Sequence, residues 1–208
     1  IDDPVMLVGS PEIFPSEAWV GRIIDPSGRP LDGSPLADGL EARPLQTSPP
    51  PAAIRNSLGH RLATGMAVCD TVLPLVRGQR LGVFAGSGVG QSHLLAHLAR
   101  GIDAAVIVIP LVGERGREGS EFVKKTLGSA GMRRSVVVVA TSDQPPITRR
   151  QAVWTAMGAA EFFRDQGKHV LMLVDSVTRF AEAHREIALA TGEQPSLRGF
   201  PPSTPHLI

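Results

Sequence analysis

Cysteine is almost missing from this 208-residue sequence. Cys69 stands alone, which excludes an intrachain disulfide and fits a reducing compartment. Lysine is scarce as well: of 21 basic residues only Lys124, Lys125 and Lys168 are lysines. No apolar run reaches the ~18 residues of a membrane-spanning helix. The first residues, Ile1-Asp2-Asp3-Pro4, show neither a basic region nor an apolar stretch, so no signal peptide is visible. An initiator Met is also missing, and the chain is expected to start inside a longer protein. Neither sign of charge dominates, since 21 basic and 20 acidic residues leave +1. That balance gives no electrostatic footprint for nucleic acid or an anionic membrane surface. Apolar residues, by contrast, are plentiful. A 42% hydrophobic and 20% charged composition supplies a packed core and excludes disorder of the chain as a whole.

Residues 1–60 are rich in proline and glycine. Within them residues 18–24 (AWVGRII) read as a strand that runs into turns at Asp25-Pro26-Ser27-Gly28 and Leu31-Asp32-Gly33. Ser48-Pro49-Pro50-Pro51 is an extended connector, because proline fits neither a helix interior nor a central strand. Beyond about residue 66 short apolar runs alternate with amphipathic segments. Strands are expected at 80–85 (RLGVFA), 104–110 (AAVIVIP), 135–140 (SVVVVA) and 170–175 (VLMLVD). Helices are expected at 92–100, 118–127, 148–163 and 177–190. Near-continuous apolar strands separated by helices predict an α/β fold, a parallel sheet with helices on both faces. Ligands of such sheets sit beyond the carboxyl ends of the strands. The loops after Ala85, Pro110, Ala140 and Asp175 are therefore where function is sought.

The first of these loops is Gly86-Ser87-Gly88-Val89-Gly90-Gln91-Ser92. Glycines let successive N–H groups curl toward an anion, and the amino end of the following helix adds partial positive charge. Ser92 is placed to offer its hydroxyl to Mg²⁺. A glycine turn that merely packs a helix against a strand is the plainer reading, and the strand–loop–helix context tells against it. One residue departs from the phosphate-loop pattern: Gln91 stands where a lysine belongs. Charged hydrogen bonds contribute roughly 1.5–3 kcal/mol against about 1 for neutral ones, so binding is expected to weaken roughly tenfold. Hydrolysis should suffer more, because charge grows in the transition state. Arg115 and Arg117 are the candidates for replacing the lost cation in space.

The second loop, Val112-Gly113-Glu114-Arg115-Gly116-Arg117-Glu118, sets carboxylates at a strand end. Glu114 is the candidate to polarise a water for attack on a phosphoryl group. Glu118 falls in the first helical turn, where it favours the helix dipole. A solvated ion-pair loop is the bland alternative. Asp175 closes the fourth strand, where a carboxylate can organise Mg²⁺ together with Ser92. Asp at such a position often caps a helix instead. Arg179 and Arg185 are read as surface partners of Glu182 and Glu186 at helical spacing. His93 and His97 share a helix face without a third ligand and are read as structural. Trp19 and Trp154 are read as core or interface residues.

Together these stretches resemble one family. GERGRE (113–118), VVVVATSDQP (136–145), FFRDQGK (162–168), VDSVTRFAEAHREIALATGEQP (174–195) and RGFPPS (198–203) are similar to the flagellum-specific and type III secretion export ATPases, relatives of the rotary ATP synthase β subunit. GRIIDPSGRPLDG (21–33) and GQRLGVFAGSGVG (78–90) extend the resemblance over residues 19–203. It implies a P-loop NTPase (RecA-like) domain at residues 61–208, truncated at its carboxyl end. Residues 1–60 would then be the remnant of an amino-terminal β region with its proline-rich connector. It implies ATP and Mg²⁺ as ligands, with Gly86, Ser87, Gly88, Val89, Gly90, Gln91 and Ser92 in the nucleotide loop and Ser92 and Asp175 as the magnesium pair. Glu114 matches the water-activating carboxylate, and Arg115 lies in the nucleotide-contacting loop. The resemblance further implies an ATP-hydrolysing subunit energising flagellar or type III protein export. That subunit would be a cytoplasmic homohexamer, peripheral to the inner membrane, with export-apparatus proteins and secreted substrates as partners. The alternative is a non-catalytic or degenerate nucleotide-binding homologue, suggested by Gln91 and by the chain's extent. A nucleic-acid motor on the same core is disfavoured by the neutral charge, and no nucleic-acid partner is expected.

Overall fold

The structure, a computed structural model, describes Met6, Gly9, residues 11–86 and residues 88–208. Ser87, one of the expected loop residues, lies outside the described residues. In chain order the elements are β1 (Glu12–Ile13), β2 (Ile23–Ile24), β3 (Arg43–Pro44), β4 (Arg61–Leu62), α1 (Ala67–Thr71), β5 (Leu75–Val76), α2 (Gln91–Gly101) and β6 (Val106–Glu114). They continue with α3 (Gly116–Glu121), a π-helical turn at Phe122–Leu127, α4 (Gly128–Met132), β7 (Ser135–Thr141), α5 (Pro146–Asp165), β8 (Val170–Met172), α6 (Val177–Ala190) and α7 (Thr204–Leu207).

The central sheet has the order β2-β7-β6-β8 and every pairing in it is parallel. The all-apolar strand runs follow from burial on both faces. Alternate residues of β6 and β7 go to opposite sides. Val106, Val108, Val136 and Val138 meet Ala152, Ala156, Ala159 and Phe163 of α5. Ile107, Ile109, Leu111 and Val137 meet Ala96, Leu98 and Ala99 of α2 together with Phe122 and Leu127. Each such aliphatic side chain contributes about 1.5–3 kcal/mol on burial. α5 opens with Pro146 in its first turn, where the missing N–H costs nothing.

The amino-terminal region is stitched to this sheet. Residues 18–24 form only a two-residue strand, because a 3₁₀ turn at Glu17–Trp19 first swings Trp19 into the core. Asp25-Pro26-Ser27-Gly28 makes the expected turn, with the Gly28 N–H donating to the Asp25 carbonyl at 3.0 Å. Lys168 pairs with Glu17, and Arg43 pairs with Asp165 at 2.6 Å.

One expected strand is absent. Residues 80–86 carry no strand assignment and are exposed, with Leu81 at 57% and Phe84 at 97%. Apolar alternation makes a strand only where a neighbour supplies the hydrogen-bond ladder. Among the described residues β8 pairs with β6 alone, and no ladder reaches residues 80–86.

Candidate active site

Glu114 ends β6 just past a register shift between Val112 and Glu114. Gly113 makes that bend with φ +68°, and a Cβ there would meet the Arg179 side chain at 3.3–3.5 Å. The Glu114 carbonyl accepts the Ser142 N–H at 3.0 Å. Asp175 is fixed by the same sheet, since its N–H donates to the Pro110 carbonyl at 3.0 Å and its carbonyl accepts the Val112 N–H at 2.7 Å. Asp175 does not cap α6. Ser176 does, accepting the Arg179 N–H at 3.4 Å, which frees the aspartate side chain.

The glycine loop reaches this strand end. Gly88 and Gly90 have φ +77° and +96°, a turn open to glycine and strained for other residues. α2 begins directly at Gln91, and no side chain caps its first turn. Ser92, in that turn, donates its hydroxyl to Asp175 Oδ2 at 3.3 Å across 83 positions of sequence. A cleft of about 160 Å³ is lined by Ser92, Glu114, Glu118 and Asp175, with Leu111 and Phe122 among its apolar walls.

Four carboxyl residues line the cleft, Glu114, Glu118, Glu121 and Asp175, and Asp175 and Glu118 act on Glu114 through their charge. Burial pushes the Glu114 carboxyl up to about 7, helped by a hydrogen bond with Glu118 and by the charges of Asp175 and Glu118, with Arg179 opposing. Burial also raises Asp175, opposed by the Ser92 hydroxyl. A positive charge placed among these carboxyls would favour their ionised forms. The hard oxygens of Ser92 and Asp175 suit Mg²⁺, which takes few protein ligands and fills its octahedron with water and phosphate oxygens. Among the described residues no group of three or more His, Cys, Asp or Glu is arranged to hold a metal ion by itself.

The other expected residues are placed less centrally. Gln91 turns its amide back to donate to the Val83 carbonyl at 3.4 Å. Val89 is exposed, and Arg115, exposed, precedes α3 and does not line the cleft; neither does Arg117.

Residues 65–208 match the ATP synthase alpha/beta family, nucleotide-binding domain. The chain belongs to that family. Among its relatives is the flagellum-specific ATP synthase of Caulobacter vibrioides, 53% identical over 192 residues, which covers 92% of this chain and 43% of the relative. The type 3 secretion system ATPase of Xanthomonas euvesicatoria is 46% identical, covering 96% and 45%. Of solved structures, a prototypical ATPase from the type III secretion system of pathogenic bacteria superimposes with a TM-score of 0.88 at 43% identity, over 94% of this chain and 56% of that one. The assembled ATPase EscN of the enteropathogenic E. coli type III secretion system gives 0.86 at 44%, over 93% and 47%. The chain thus spans less than half the length of the curated relatives it matches.

Within this ATP synthase family domain two residues of the site escaped the sequence reading. The sequence pattern places Glu118 at the helix dipole, yet it lines the cleft and helps to raise the Glu114 carboxyl. No spacing rule links the two, because Glu114 ends a strand and Glu118 lies in the first turn of α3. Arg179 does pair with Glu182 as expected, at 3.3 Å, but its charge also reaches Glu114. No periodicity in the sequence reveals that second contact.

Proposed function

We propose that the chain is the nucleotide-binding portion of an ATP-hydrolysing subunit that energises flagellar or type III protein export. The observation that carries this reading is the meeting of Ser92 and Asp175 at 3.3 Å beside Glu114. The backbone of residues 86–92 and the amino end of α2 would cradle the phosphates of ATP. Ser92 and Asp175 would hold Mg²⁺, which neutralises phosphate charge when bound. Glu114, poised near neutrality, would orient the attacking water and take its proton. Arg179 is the guanidinium whose charge acts on Glu114, and it would offset part of what Gln91 cannot supply. Residues 61–208 form the nucleotide-binding domain in this reading, and residues 1–60 the β region and connector before it.

By analogy with the assembled EscN and its complex with the stalk protein EscO, the complete protein would be a homohexamer. It would work in the cytoplasm against the inner membrane, on export-apparatus proteins and secreted substrates, without nucleic acid. Among the described residues no helix is long and apolar enough to cross a membrane. Identity of 53% across nearly the whole chain favours a working relative over a degenerate copy.

Calorimetric titration of Mg-ATP into the chain, into Gln91→Lys and into Asp175→Asn tests the reading. Binding by the first two that is lost in Asp175→Asn supports it. Folded proteins of which none binds, or binding indifferent to Mg²⁺ and to Asp175, would refute it.

A further inference from the structure

A second polar cluster, made by Arg150 of α5, His184 of α6, Glu193 and Ser203, shares no residue with the cleft lining. His184 is buried, at 6% exposure. Arg150 Nη1 lies 3.0 Å from His184 Nδ1, and His184 Nε2 lies 2.7 Å from Ser203 Oγ. Ser203 Oγ donates to Glu193 Oε2 at 2.6 Å, and the Ser203 N–H donates to Glu193 Oε1 at 2.8 Å. A guanidinium can only donate, so Nδ1 must carry the lone pair and Nε2 the proton. The hydrogen bonds then run one way, from Arg150 through His184 and Ser203 to Glu193. Glu193 and Ser203 close the neck of the 193–203 loop. His184 ties that neck to α6, and Arg150 ties it to α5.

We propose that His184 is a proton-operated coupling between α5 and the neck of the 193–203 loop, closed when the imidazole is neutral and opened at its Arg150 end when it is protonated. A second proton goes to Nδ1. Two donors, both positively charged, would then face each other at 3.0 Å, and the Arg150 contact fails. The Glu193 end survives, because Nε2 still donates to Ser203. Arg150 has little else to hold it: among the described residues its Nε is buried without a partner, and its guanidinium lies 4.7 Å above the Trp154 ring.

The surrounding charges do not duplicate this chain. From α5, Arg149 is engaged by Glu186 at 2.7 Å. On α6, Glu182 pairs with Arg179, and Arg185 sits over Phe200 at 5.0 Å. β6 faces α6 with apolar residues up to Glu114 at its end, and His206 of α7 is exposed. Burial and Arg150 hold the His184 ring below the ordinary histidine range, against the pull of Glu193. The coupling is therefore closed at neutral pH and opens on acidification. α6 starts two residues after Asp175 and carries Arg179, so loosening its tie to α5 is felt in the cleft.

Nitrogen-15 NMR of the imidazole and indole groups of the whole chain tests this. At pH 7.5 the His184 ring should be the Nε2–H tautomer. Its titration should carry the Trp154 indole signal with it and leave the Trp19 signal still. In His184→Gln, whose amide can accept from Arg150 and donate to Ser203 but takes no proton, the Trp154 titration should vanish. An Nδ1–H tautomer, a Trp154 signal that stays fixed while His184 titrates, or an unchanged Trp154 titration in His184→Gln would each overturn the proposal. The tautomer is read on the native chain, so a variant that fails to fold does not rescue the idea.

Discussion

Glu114 and Asp175 are set by ladders between neighbouring strands, with backbone bonds of 2.7–3.0 Å locking each residue. The glycine loop opposite them hangs from residues 80–86, which are exposed and lie in no strand. Both halves contribute to one cleft, yet only the carboxylate half is supported by the sheet on all the sides that matter to it. The comparison teaches that Glu114 and Asp175, the groups proposed to activate water and to share Mg²⁺ with Ser92, take their positions from the described sheet. The glycine loop proposed to cradle phosphate continues from a segment that the described sheet does not brace. Its links to the carboxylate half are the Ser92–Asp175 bond at 3.3 Å and the packing of α2, which follows the loop, on β6.

The largest effect should come from breaking the braced half at its root. Phe163 is fully buried where α5 covers β6 and β7. Phe163→Ala should cost about 3–5 kcal/mol, read by urea denaturation of the chain. A loss under about 1 kcal/mol would mean that α5 does not carry the packing described.

Next comes the charge stored in the cleft. Glu114 is raised in the folded protein, to about 7, and sits near 4.3 when unfolded. Between those values the folded state binds the extra proton, so stability is present below about 4.3 and is lost as pH rises through 7. Glu114→Gln removes that dependence. With solvent screening counted, it should stabilise the chain by about 1–2 kcal/mol at pH 8 and by almost nothing at pH 4.5. Equal stability of the two proteins at pH 8 would show that the cleft does not strain its carboxylate.

The braced half was also the more legible one. β7 and α6 appear in the sequence almost to the residue, because a continuous apolar run and a 3.6-residue pattern record burial on the element itself. Residues 80–85 carry the same apolar signature and form no strand, since a strand also needs a neighbour and local sequence does not say whether one is there. In the site, Glu114, Ser92 and Asp175 were readable from their places at strand ends and in the loop. Arg179 was read only through Glu182, its neighbour along the helix, because its approach to Glu114 depends on where α6 is laid across β6. The exposure of Arg115 likewise depends on how α3 leaves the strand, which the GERGRE pattern does not record.

The missing cation of the loop gives a smaller, sharper contrast. Gln91→Lys puts a positive charge where the amide now reaches back to Val83. Affinity for Mg-ATP should rise about tenfold, near 1.4 kcal/mol, the difference between a neutral and a charged donor on phosphate. The gain should shrink as ionic strength rises, because the loop is exposed and salt screens both the new charge and the helix dipole. No gain at all would show that Arg179 already supplies the charge.

The smallest effect is expected where the loop half is least supported. Phe84 is 97% exposed and Phe163 is buried, although both are phenylalanines beside a sheet. Phe84→Ser should therefore change stability by less than about 0.5 kcal/mol, as surface substitutions generally do, and should reduce self-association of the chain by removing an exposed ring from an unpaired apolar segment. Urea denaturation and sedimentation of the two proteins side by side measure both quantities. A cost of 2 kcal/mol or more would mean that Phe84 is covered in solution and that residues 80–86 do join a sheet. The glycine loop would then be as firmly braced as Glu114 and Asp175, and the asymmetry between the two halves of the cleft would disappear.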